Sequence, residues 1–374
     1  MSKSHLFLVP VFCFCLFFAF GCDDDDCPTC GQDNATTAGP DGLLYVPNQA
    51  DQTMFVYDTK TLNRIDSFDI PILEPHFITF SHDYQHYYVV GRRNGDAQLV
   101  KYQASNDSLL SVIDAVAGTF PTAMAIGLNN DTAYLTDFTL AAGHTYRYNI
   151  TGENFELYDT LTLPLLQAGY QTHDIRISSD GRYVVSAGYS SDDITIINTE
   201  SGNLTPLTLD SAHQVFNAES NTYGAYGVLI DRTGSMAVLA CRKGVDQLRL
   251  IDLKNLTLLD SIIIPVSNDP NPSSNGPTYM TILPDNNTLF VTTQYGNSVV
   301  VVRLSTREVL KTIDLETPKP FGISSSDDGS RVYVSCANTR PAKGRVYVID
   351  GSTFEKLDSI QVGSEPFGLQ WRPR

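Results

Sequence analysis

The chain ends in PFGLQWRPR, residues 366–374, and the start of that phrase echoes PFGI at residues 320–323. After the earlier copy the sequence runs on through residues 324–362 as SSSDDGSRVYVSCANTRPAKGRVYVIDGSTFEKLDSIQV. After the later copy it stops. A repeat that opens at one terminus without its remainder raises the question of where the remainder lies, and the answer settles the architecture.

The full unit reads as a Pro-led apolar strand, a turn at Asp-Gly or a relative, a second strand of YV type, a third of VxVID type, and an outer strand. The turns fall at Asp41-Gly42, His82-Asp83, Asn130-Asp131, Asp180-Gly181, Thr233-Gly234, Asp285-Asn286 and Asp328-Gly329. Second strands follow as LLYV, HYYVV, TAYLT, RYVVS, MAVLA, TLFVTT and RVYVS. Seven units over residues 42–374 take about 48 residues each, a propeller-blade length. The segments are short, β-branched or aromatic, and bounded by Gly, Asn, Asp or Pro. One blade cannot bury both of its faces, so blades must stack side by side.

These observations predict an all-β fold, a seven-bladed β-propeller of four-stranded blades. The C-terminal phrase becomes the innermost strand of a blade whose other strands lie between Leu43 and Ile70. Pairing the two ends closes the ring and leaves no spare edge. LYVPN at Leu44–Asn48, VYVSCAN at residues 332–338 and VYVID at residues 346–350 resemble the YVTN-repeat family of β-propellers, and the likeness spans nearly all of residues 42–374.

Composition agrees. Aromatic residues are plentiful (19 Tyr and 18 Phe), only 18% of residues are charged, and the formal net charge is −17. An acidic chain without a basic cluster argues against nucleic-acid binding. The opening MSKSHLFLVPVFCFCLFFAFGC has Lys3, then an apolar run over residues 6–20, too short for a bilayer span and suited to a secretory leader. It closes on Ala19-Phe20-Gly21-Cys22, which resembles a bacterial lipobox despite Ala19 in place of the usual Leu. We therefore expect a signal peptide over residues 1–21, lipidation of Cys22, an acidic tether over residues 22–41 and the propeller over residues 42–374. The DDDD after Cys22 resembles the tract of surface-exported lipoproteins of Gram-negative bacteria, which implies an outer-membrane protein held at the cell surface by its lipid alone. Cys27 and Cys30 form a CxxC read as a local disulfide; Cys241 and Cys336 read as buried, inert thiols.

Candidate chemistry lies at the first side chains of the inner strands: Phe367, His76, Thr122, His173, Tyr226, Thr278 and Phe321. They are expected to rim one mouth of the channel, with Arg92, Arg93, Tyr189, Arg242, Lys243, Tyr295, Asn338 and Arg340 on nearby loops. Aromatics with a few polar anchors suit a small-molecule site, and they also suit a plug. His76 and His173 lack an evident third ligand, so no metal and no other cofactor is expected. The Asp or Asn after each third strand (Asp58, Asn149, Asn198, Asp252, Asp350) reads as a turn-maker.

The expected function is a non-enzymatic, lipid-anchored, monomeric binding module that captures a small ligand or an envelope protein. The YVTN resemblance implies relatives that pass cobalamin to a TonB-dependent outer-membrane transporter. Two alternatives stand beside it: a propeller enzyme of lactonase or dehydrogenase type, and a structural surface-layer protein. The enzyme ranks lower because no triad, haem-attachment motif or metal cluster is evident in the sequence.

Overall fold

In the computed structural model, residues 39–91, 97–139, 143–153, 155–163, 171–210, 223–265 and 275–374 are described. Cys22, Cys27, Cys30, Arg92 and Arg93, with the leader and most of the tether, lie outside them. Seven four-stranded antiparallel sheets make a seven-bladed β-propeller, and every regular element among the described residues is a strand. The innermost strands are Pro75–Phe80, Met124–Ile126, Thr172–Ile177, Ala225–Ile230, Pro277–Ile282, Pro320–Ser325 and the terminal Gln370–Pro373.

The ring closes as the repeat requires. Gln370–Pro373 pairs antiparallel with Gly42–Asn48, with Leu44 opposite Trp371 and Tyr45 opposite Gln370. Trp371 is buried with Leu44, Val46, Tyr333 and Leu369 between the first and last blades. Arg372 donates to the Ala104 carbonyl at 2.8 Å, tying the terminus to the second blade as well. Arg374 pairs with Asp58 and, at 3.2 Å, with Asp41.

The glycine of the PFG phrase has a steric cause. A Cβ on Gly322 would lie 2.1 Å from the Phe367 carbonyl, just before the terminal inner strand, and one on Gly227 would lie 2.0 Å from that of Thr278. Inner strands thus approach backbone to backbone around the channel, and only glycine permits it there. Second strands are buried almost throughout, while outer strands are largely exposed, so the core sits between blades in clusters such as Val238, Leu250, Val291 and Val300.

Asx residues after the third strands make turns. Asp350 Oδ1 accepts the Ser352 and Thr353 amides at 2.9 Å, and Asp58, Asp252 and Asn198 each accept two amides likewise. Where Arg303 replaces the Asx, the Ser305 amide turns to Asn287 Oδ1 at 2.8 Å instead. Burial alone would raise the Asp350 carboxyl, but the hydrogen bonds outweigh it and hold it at about 2, below the ordinary 3.8. A depressed carboxyl stabilises the fold above its unfolded value and loses that contribution as pH falls from 3.8 towards 2. Asp350→Asn keeps an acceptor without the charge. It should cost about 1 kcal/mol in denaturant melts at pH 7, after screening, with the deficit gone below pH ~2.

Candidate functional site

Local backbone irregularity aims the site. In five inner strands the register shifts at the upper end, between Pro75 and Phe77, Thr172 and Ile175, Ala225 and Gly227, Pro277 and Met280, and Pro320 and Ile323. The residues within those shifts include His76, His173, Tyr226, Thr278 and Phe321. Bulges of this kind re-aim side chains, and here they turn them into the channel.

Once there, the side chains meet. Phe367 packs 4.9 Å from His76 and 4.5 Å from Phe321, measured between ring centroids. His76 and His173 face each other edge to face at 6.5 Å across the channel. His173 stacks on Tyr226 at 3.5 Å, and the Arg242 guanidinium lies over the same tyrosine at 3.4 Å. Tyr226, Tyr279 and Phe321 form the apolar centre. His76, His173, Tyr226 and Phe321 are all buried, so the expected rim is a sealed layer across the channel rather than an open edge.

Two neighbours define the imidazoles. His76 Nδ1 lies 3.1 Å from Gln49 Oε1, and His173 Nδ1 lies 3.0 Å from the Tyr226 carbonyl. Both partners are acceptors, so Nδ1 carries a proton in each ring. Arg242 is set by Gln294, whose Oε1 accepts from Nη1 at 2.6 Å, and by Thr278 Oγ1 at 3.4 Å. Tyr189 and Tyr295 each stand 5.5 Å from the Arg242 guanidinium, and Lys243 lies 4.7 Å from the Tyr189 ring. Tyr295 is 53% exposed, marking the outward side of the layer.

Thr122 serves structure: its hydroxyl donates to the His173 carbonyl at 2.5 Å. Arg340 stands apart, exposed and paired with Glu365. Among the described residues no group of three His, Cys, Asp or Glu is placed to hold a metal. Cys241 and Cys336 are buried thiols, and burial pushes both well above the ordinary thiol range. Gln49, Phe138, Tyr279 and Gln294 belong to the cluster without having been singled out from sequence. Tyr279 was within reach, since it follows Thr278 at a shifted register; the other three approach from different strands or loops.

A family model, Lactonase, 7-bladed beta-propeller, matches residues 110–338, more than half of the sequence. The chain belongs to this lactonase family. That membership overturns the expectation of a non-enzymatic capture module and favours the lactonase alternative; it replaces the YVTN lipoprotein likeness as the shown relationship. No curated protein matches the sequence. Among solved structures, a periplasmic gluconolactonase of Pseudomonas aeruginosa aligns with TM-score 0.70 and 16% identity over 88% of this chain and 98% of that one. Hydrazine synthase of Kuenenia stuttgartiensis aligns with TM-score 0.67 and 14% identity over 87% and 99%. One neighbour is named for lactone chemistry and the other is not, so these likenesses speak for the fold and leave the reaction to the site.

Proposed function

We propose that the protein is a lactonase that hydrolyses a small hydroxylated lactone of the gluconolactone type at the histidine–arginine layer. The observation that carries this is the stack of His173, Tyr226 and Arg242 facing His76. Ester hydrolysis needs a base for water and a positive group for the oxyanion that forms on the carbonyl oxygen. His173 supplies the base and Arg242 the charge, while Tyr189 and Tyr295 offer faces for a sugar ring. Water adds to the carbonyl carbon and its proton passes to His173. The ring C–O bond then breaks, and the proton moves to the departing ring oxygen to leave an open-chain hydroxy acid.

His76 sits opposite as the second imidazole of the layer. Arg242 is suited to its role because Gln294 and Tyr226 fix its plane before substrate arrives, so little reorganisation is needed as charge develops. Acid release from D-glucono-δ-lactone, followed by pH-stat at pH 7 against spontaneous opening, tests the reading. A protein-dependent rate is expected. Absence of turnover across a panel of γ- and δ-lactones would refute it.

A further inference from the structure

Below the aromatic layer the channel opens again. A chamber of ≈ 380 Å³ is lined by the lower halves of six inner strands, among them Phe77, Met124, Arg176, Met280, Ile323 and Leu369. It faces the mouth opposite the histidine–arginine site, and the reading above makes no use of it.

Apolar side chains and polar groups share its walls, and several of its hydroxyls are already committed. Thr79 donates to the Met124 carbonyl at 3.2 Å, Thr281 bonds Ser325 at 3.1 Å, and Ser324 accepts the Trp371 amide at 3.1 Å. Arg176 is the one Lys or Arg in the lining. Its Nη1 lies 2.8 Å from Asp174 Oδ1 and donates to the Ile175 carbonyl at 3.0 Å. Asp174 is fully buried and also accepts the Ile175 amide at 2.9 Å and the Val228 amide at 2.8 Å. The carboxylate therefore anchors one corner of the guanidinium, and the Phe77 ring lies 5.0 Å from its carbon. No hydrogen bond to a described residue engages Nε or Nη2. Those two nitrogens form the edge that matches a carboxylate in a two-pronged pair.

We infer that this chamber binds a small monocarboxylate with an apolar tail, its carboxylate on the Nε/Nη2 edge of Arg176 and its tail against Met124, Met280 and Leu369. The volume falls within the ordinary range for a small-molecule pocket. The guanidinium edge takes the carboxylate, and Met124, Met280 and Leu369 offer the tail an apolar side of the chamber. The nearby Asp174 offsets part of the guanidinium charge, so binding is modest and relies on the fork geometry.

Methionine methyl groups give a direct readout. Met124 and Met280 line the chamber, while Met54 lies in another cluster and serves as the internal control. With the full-length protein labelled at methionine methyls, hexanoate added to about 20 mM should shift the Met124 and Met280 signals saturably and leave the Met54 signal still. Hexanamide, of the same shape without charge, should bind about tenfold more weakly, and so should hexanoate to Arg176→Lys, which keeps charge but loses the fork. His173→Ala should leave hexanoate binding intact. Equal saturation by hexanamide or hexan-1-ol would reduce the site to apolar partitioning and overturn the inference. So would unmoved Met124 and Met280 signals in the wild type, or binding that disappears with His173→Ala yet survives Arg176→Lys.

Discussion

A chain that ends at Glu365, without residues 366–374, should lose its cooperative thermal transition or melt lower by about 10 °C or more. Those residues supply the inner strand of the first blade, and Leu369 and Trp371 are buried at the seam. Losing two large buried side chains costs several kcal/mol, a large part of the roughly 5–15 kcal/mol that holds a typical protein folded. Removal also strips the inner edge of Gly42–Asn48 and exposes a strand that can pair with another molecule. The truncated protein should therefore self-associate during sizing as well as melt early.

Gly322→Ala probes the same seam without deleting anything. Its added methyl would press into the Phe367 carbonyl, which also accepts the Ser335 hydroxyl at 2.5 Å. The clash is with backbone rather than the end of a flexible side chain, so a loss of about 2–4 kcal/mol is expected. If both variants melt like the wild type, the terminal strand contributes nothing to closure.

The repeat, the count of seven and the terminal closure were all legible because each rests on local chemistry copied along the chain. A positive-φ residue in the turns is supplied by Gly181, Gly234 and Gly329 in some copies and by Asn130 or Asn286 in others, and either type marks the position in sequence. The site was legible only in part. Its ring of first residues follows from topology, so His76, His173, Tyr226, Phe321 and Phe367 could be named together. Their partners could not. Gln49 comes to His76 from 27 positions away and Gln294 to Arg242 from 52, and no spacing rule links such pairs. The lactonase family was equally hard to read, because no compact triad marks it in the sequence, and the absence of such a motif favoured a binding protein until the family match overturned it. Worn copies added a smaller difficulty. Arg303 breaks the Asx rule in sequence, and only the fold shows Asn287 taking over the Ser305 amide.

Replacing His173 or Arg242 should separate the base from the charge. Loss of a general base typically costs 10²–10⁴ in rate, and loss of one oxyanion donor about 10²–10³. His173→Ala should therefore lower kcat/KM for D-glucono-δ-lactone by roughly a thousandfold, and Arg242→Gln by roughly a hundredfold or more. Both changes act on kcat more than on KM, since the interactions they remove strengthen in the transition state. Arg242→Lys discriminates further. Lysine keeps a positive charge but not the planar face on Tyr226, so it should restore only a small part of the rate. Truncating the buried His173 also opens a void beneath Tyr226, and folding must be checked by thermal melts of each variant before rates are compared. His76→Ala leaves the His173–Tyr226–Arg242 stack in place and should cost less than His173→Ala. If His76→Ala abolishes turnover while His173→Ala spares it, the base is the other imidazole. If neither histidine matters, the aromatic layer is only a plug and the proposed chemistry has no home there.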